Sequence, residues 1–285
     1  MVTEDWQVGF TVKGLRAPDE ILLNDYVLIK GTKHDDAYVF LRTTIQNEQE
    51  KDDLTDNMKS VLKNLLEMYG LIANRYTEAV FGSVASKISS ETPFGQTKYP
   101  PDALRMIAMP TDEQRKGNLP ILEKTIEKFN IVRAICEDKH KRFLRNAIFY
   151  YYRSLGDFRL EEKLIDLMIC LESLFSGGSH ELRLRYSLRM AYLLGVNQED
   201  SLQNVFRRVY ALYPKRSKIV HGTEDVDLND KEVWDFRKAL NEVIKLFIHI
   251  EMSKKDLLTL LDESVYDVER KEQLRQIVSE ATKKW

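Results

Sequence analysis

Two residue types in the stretch LYPKRSKIVHG, residues 212–222, can do chemistry on a phosphate: Arg216 and His221. Histidine is the side chain whose ordinary pKa lies close to physiological pH, so it can take up and release protons there. An arginine guanidinium offers a fixed positive charge in a forked array that matches phosphate oxygens. Their spacing is awkward. Side chains on one helix meet at three or four residues, and five steps place two of them about 140° apart around the axis.

The flanking residues suggest how such a pair can still be used. Pro214 is favoured in the first turn of a helix and not in its interior, and Gly222 suits the left-handed residue just after a helix end. The segment 214–221 therefore reads as a short helix of its own, with Arg216 near its start and His221 at its last position. Lys215 and Lys218 flank Arg216, and Arg207 and Arg208 lie one or two turns back. Together they make a basic tip on a chain whose formal net charge is −2. A local basic patch is the only route to nucleic acid in such a chain, because there is no global basic footprint.

The elements that must position this tip are mostly helical. Trp6, Val8, Phe10 and Val12 alternate with Gln7, Gly9, Thr11 and Lys13, a period-two pattern that predicts a strand, and 26–31 and 37–45 predict two more. Thr55 can cap a helix carrying Met58, Val61, Leu62, Leu65, Leu66 and Tyr69. Five of the seven prolines fall between residues 82 and 120, which predicts a linker or long irregular loop there. From 120 onward the pattern is helical throughout: a long segment over 121–152, an almost wholly apolar helix over 159–175, and one from a Ser179 cap to Gly195. Further helices are predicted over 199–213 and 230–252, with a short helical pair at the end. The fold class is mainly α, a helical bundle preceded by a small N-terminal β-unit, with domains divided as 1–119 and 120–285.

Three blocks in order, LIDLMICLESLF (164–175), LRYSLRMAYLLG (184–195) and LYPKRSKIVHG (212–222), resemble the HEPN superfamily, and specifically its Apea-like branch. The resemblance covers residues of about 120–252. Many members carry Asn, Asp or His directly after the arginine; here that position is Ser217, as in the Apea-like branch. The resemblance implies a helical domain that forms a homodimer with two Arg/His pairs facing each other. It also implies a metal-independent endoribonuclease with Arg216 and His221 as catalytic residues, at work in phage defence or a stress response. RNA would be the partner, contacted by Lys215, Lys218, Arg207 and Arg208, and its 2′-hydroxyl would be the nucleophile, so DNA would resist. Across a dimer, Arg216 of one chain need not cooperate with His221 of the same chain.

Glu172 is the one charge between Asp166 and the end of an otherwise apolar helix. A buried carboxylate needs partners, and Arg185, Arg189 or Arg216 can supply them, either as an interhelical ion pair or to orient the catalytic pair. Ser217 stands beside it as a supporting residue. No cofactor or metal is implied: Cys136 and Cys170 are the only cysteines, and His34, His140, His180 and His249 are scattered. The basic run 139–142 reads as a solvated helix face and the aromatic run 149–152 as core. The chain's start lacks a signal-peptide pattern and no uncharged apolar run is long enough to span a membrane, so the expected compartment is the cytoplasm. The alternative functions are a non-catalytic RNA- or nucleotide-binding module, and a purely structural dimerisation domain.

Overall fold

A computed structural model describes residues 4–13, 15, 17, 21–24, 27–31, 36–74, 77–87, 118–156, 159–177, 180–196, 199–222 and 226–285. The fold is mainly α with an N-terminal β-unit, and the chain divides into two compact units, residues 1–134 and 135–285.

The first unit holds an antiparallel sheet of β1 (Glu4–Lys13), β2 (Ile21–Asn24), β3 (Val27–Gly31), β4 (Asp36–Ile45) and β5 (Glu78–Lys87), in the order β2-β3-β4-β1-β5. The alternation in β1 predicts one polar face. In the structure Gln7 and Thr11 are as buried as Val8, Phe10 and Val12, and β1 is a central strand hydrogen-bonded on both edges, so both faces of this strand are covered. Two helices follow β4: α1 (Glu48–Asp52) and α2 (Leu54–Ala73). Thr55 lies inside α2 rather than capping it, and the helix ends at Asn74, whose φ of 52° places it in the left-handed region. Residues 82–87, expected to open the linker, belong to β5; residues 88–117 lie outside the described part of the chain.

The segment expected to be one helix over 121–152 is two, α3 (Leu119–Glu137) and α4 (Arg142–Ser154). The break falls at Asp138, whose carboxylate accepts from the backbone N–H of His140 at 2.8 Å and opens a 3₁₀ turn over Lys139–Lys141. Most of α3 belongs to the first unit, and beyond α4 the second unit holds α5 (Leu160–Phe175), α6 (Leu182–Gly195), α7 (Glu199–His221), α8 (Asp230–His249), α9 (Lys254–Glu263) and α10 (Val268–Lys283). The almost wholly apolar sequence of α5 places it at the centre, packed by α4, α6, α7 and α8. Leu164, Leu167, Cys170, Leu171, Leu174 and Phe175 are fully buried there. Truncating one such leucine to alanine typically costs about 2–5 kcal/mol. Asp166, on the same helix, is buried and ion-paired with Arg153 of α4, whose Nε donates at 2.7 Å. Asn241 of α8 donates to the buried Tyr151 hydroxyl at 2.7 Å. The expected Ser179 cap lies outside the described residues, and α6 begins after Glu181, which makes no side-chain cap.

The largest departure from expectation is α7. It runs unbroken from Glu199 to His221 with Pro214 in its interior, so there is no separate helix over 214–221. A proline inside a helix lacks the N–H that would bond the carbonyl four residues back. That carbonyl belongs to Tyr210, and Arg183 of α6 takes the missing donor's place: its Nε donates to the Tyr210 oxygen at 2.7 Å. The same guanidinium lies 3.5 Å above the Tyr210 ring, and the Phe206 ring stacks on that ring with centroids 5.4 Å apart. The two helices are already held close, since a Cβ on Gly195 would come within 2.5 Å of the Leu202 backbone. Gly222 ends α7 with φ of 61°, as its position predicts.

The replacement of an amide donor by Arg183 gives a thermodynamic test. Arg183→Met is expected to destabilise the protein more in the native background than in Pro214→Ala, where the restored amide can bond Tyr210 itself. A double-mutant cycle by chemical denaturation should give a coupling of about 0.5–1 kcal/mol. Strictly additive effects would show that Arg183 does not stand in for the amide.

Candidate functional site at the end of α7

A continuous helix fixes what each basic residue of α7 faces. Arg208 and Lys215, seven apart, share one side of the helix. Both meet α8: Arg208 lies 3.5 Å from Asp235, and the Lys215 ammonium donates to both Glu232 oxygens at 3.0 and 2.8 Å and to the Asp227 carbonyl at 2.7 Å. Glu232 is also the reciprocal partner of Asn229 in the capping box that starts α8. These two cations therefore stitch the end of α7 to the beginning of α8.

Arg207, Lys218 and His221 occupy another side. Eleven and fourteen residues from Arg207 correspond to about 20° and −40° of rotation, so the three form one stripe. All three are exposed. Among the described residues His221 makes no hydrogen bond or ion pair. Ser217, half-buried, lies between these faces.

Arg216 points elsewhere. It shares a side with Val209, Leu212 and Tyr213, of which Val209 and Leu212 are buried. Its guanidinium stands 3.9 Å from the Glu172 carboxylate of α5, a distance too long for a direct hydrogen bond, and its buried Nε has no hydrogen-bond partner. Tyr213 and Tyr186 complete the surroundings, their rings 6.1 Å apart. Burial, and then the Glu172 charge, push both phenols above the ordinary tyrosine range; the Arg216 charge pulls Tyr213 partly back, and that of Arg189 does the same for Tyr186. Both phenols are thus neutral hydroxyls at physiological pH, able to donate. The sequence singled out Arg216 and Glu172 and missed the two tyrosines. The available signal was the three-residue step from Tyr213 to Arg216, which puts them on one side of any helix.

Of the three arginines that can partner Glu172, Arg216 does so. Arg185 donates to the Gly177 carbonyl at 3.1 Å. Arg189, only 3% exposed, donates through Nε and Nη2 to the two Asp262 oxygens at 2.8 and 2.7 Å, and through Nη1 to the Phe175 carbonyl. Lys254 donates to the Ser173 carbonyl at 2.8 Å and the Ser176 hydroxyl at 3.0 Å. Arg185, Arg189 and Lys254 thereby gather at the last carbonyls of α5, where cations are favoured by the helix dipole.

Compared with family models, with curated proteins and with solved structures, the chain matches none. Among the described residues no group of three or more His, Cys, Asp or Glu side chains converges as a metal site, and no helix is long and apolar enough to cross a membrane.

Lys254 supplies a pH test of this arrangement. Burial, and then the Arg189 charge, lower its ammonium from the ordinary 10.5 to about 8. Between those two values the unfolded chain holds a proton that the folded chain has released, so stability gains from this residue as pH rises through the window. Relative to Lys254→Met, the native protein should become progressively more stable between pH 8 and 10.5. Denaturant titrations at three pH values would measure it, and parallel profiles for the two proteins would refute the burial of this charge.

Proposed function

We propose that the chain is a metal-independent endoribonuclease of HEPN type, acting as a homodimer in which Arg216 and His221 contributed by different chains complete the site. The observation that carries this reading is the state of Arg216. Its guanidinium is half-buried and stands at a long distance from Glu172, so its exposed edge retains capacity for another acceptor, and a phosphate oxygen fits that need. His221 is exposed at the end of the same helix, about 140° around the axis from Arg216. Within one chain the two do not converge, which is the physical reason for requiring a second copy. A two-fold axis near the tip of α7 brings each residue to face its counterparts.

In this reaction the 2′-hydroxyl of RNA loses its proton and attacks the adjacent phosphorus. The bond from phosphorus to the 5′-oxygen breaks, and that oxygen receives a proton, leaving a cyclic phosphate and a free 5′-hydroxyl. His221 moves the protons, while Arg216 holds the charge that develops on the phosphate. The Glu172 carboxylate faces the guanidinium from α5, with Tyr213 beside it on α7. Arg207 and Lys218, on the His221 stripe, carry RNA contact; Lys215 and Arg208 are occupied by α8 carboxylates and act on the tip's position instead. A cytoplasmic setting and a role in phage defence or stress response belong to the same proposal.

A second reading, a non-catalytic RNA- or nucleotide-binding module, is favoured by the separation of Arg216 and His221 within one chain. Cleavage of RNA in the presence of chelator distinguishes the two. His221→Ala and Arg216→Ala should each reduce cleavage by about a hundred- to ten-thousandfold. Mixed and re-equilibrated, the two inactive variants should regain about a quarter of native activity, since half the dimers are mixed and each holds one intact trans site. Cleavage at native rates by either variant would sink the assignment; binding without cleavage by the native protein selects the module. Failure of the mixture to recover, with native dimers active, would place both residues of each site on one chain.

A further inference from the structure

Four charged residues are buried among the described part of the chain: Glu67, Asp166, Arg189 and Arg237. Three have an ion pair, with Lys63, Arg153 and Asp262 respectively. Arg237 of α8 does not. It is 9% exposed, its Nε has no hydrogen-bond partner, and its one ring contact is with Trp234, 5.8 Å from the ring centroid. Its polar neighbour is the Tyr151 hydroxyl, which already receives the amide of Asn241. A guanidinium withdrawn from water without a counter-charge is costly, and a fold that pairs its other buried charges has no structural reason to keep one unpaired.

Arg237 lines a cavity of about 370 Å³ with Leu160 and Lys163 from the first turn of α5 and Asp230, Lys231, Val233 and Trp234 from the first turns of α8. That size falls within the range of small-ligand sites. Lys163, Lys231 and Arg237 against Asp230 leave two positive charges in its lining. The first turns of both helices carry acids, Glu161 and Glu162 in α5 and Asp230 and Glu232 in α8, so the attraction for an anion rests on the three cations of the lining. Trp234 is 41% exposed, with the Lys238 ammonium 5.0 Å from its ring centroid and the rest of the indole open beside the cations.

We propose that this cavity binds a mononucleotide, with its phosphate on Arg237, Lys163 and Lys231 and its base against the Trp234 indole. A phosphomonoester carries about −1.5 to −2 charges at neutral pH, which matches the lining, and a nucleobase presents the planar face that indole stacks on. This site is independent of the nuclease reading. It shares no residue with the Arg216–His221 region, and Lys163 and Glu172 are separated by about 14 Å of rise along α5.

The test uses the full chain and adenosine 5′-monophosphate as probe, followed by calorimetry and tryptophan fluorescence, with adenosine and inorganic phosphate as controls. The native protein should bind the mononucleotide at least about tenfold more tightly than either fragment, since each control lacks one of the two contacts. Arg237→Met should weaken it by about ten- to hundredfold while leaving the melting temperature unchanged or raised, because the variant removes an unpaired buried charge. Trp234→Leu, a surface change, should lose about tenfold for the mononucleotide and nothing for inorganic phosphate. Absence of binding by the native protein at about 10 mM, above any specific affinity, would overturn the proposal. So would unchanged affinity in Arg237→Met. If that variant melts early, unchanged affinity in Trp234→Leu would overturn it equally.

Discussion

A helix covered on nearly every side has no water with which to satisfy its charges or its last carbonyls, and α5 exports that requirement to the helices around it. Asp166 is answered by Arg153 from α4, and Glu172 by Arg216 from α7. The carbonyls at its C-terminal end are answered by Arg189 from α6 and Lys254 from α9. Burial of the leucine-rich faces supplies most of the favourable free energy in such a bundle, and it requires each amphipathic neighbour to turn its apolar stripe toward α5. The polar partners are directional and add to that choice where their geometry is direct, as at Asp166 and at the last carbonyls. The side of α7 that carries Val209, Leu212, Tyr213 and Arg216 is turned inward by the burial of Val209 and Leu212, with the longer Arg216–Glu172 pair beside them.

Once that rotation is set, the rest of α7 follows from its continuity. Arg208 and Lys215 fall against α8, while Arg207, Lys218 and His221 fall to solvent. A helix that ended before Pro214 and restarted would have been free to change direction between Arg208 and Arg216. Arg183 removes that freedom by satisfying the carbonyl that proline leaves open. The same contact that preserves the helix therefore keeps Arg216 and His221 apart within a chain.

Much of this was legible in the sequence, where one physical signal dominated. The apolar character of α5 and the amphipathic pattern of α8 located both helices, and the left-handed end at Gly222 was visible in the residue type. Strand β1 was visible as a strand, but not its central position, because pairing on both edges is a property of distant segments. Strand β5 was missed: its EAVFGSVASK stretch is rich in small residues, and its pairing to β1 is made by backbone groups that carry no sequence mark. Pro214 misled for a related reason. Its local effect is to break a helix, and the residue that cancels the break is 31 positions away in the chain. At the candidate site, Arg216 and Glu172 stood out by charge and Tyr213 lay one helical step from Arg216, whereas Tyr186 became visible only when two helices met.

Gly222 closes α7 under a constraint of handedness alone. A Cβ there would meet no atom within 4 Å, so there is ample room for a side chain, yet φ of 61° lies in the region that L-residues rarely adopt. What the position excludes is a stereochemistry and not a volume. A mirror-image alanine would sit there unstrained, and by narrowing the conformations open to the unfolded chain it would favour the folded one by about 0.4–1 kcal/mol. The direction in which the chain leaves the His221 tip is thereby set first by backbone chirality at Gly222.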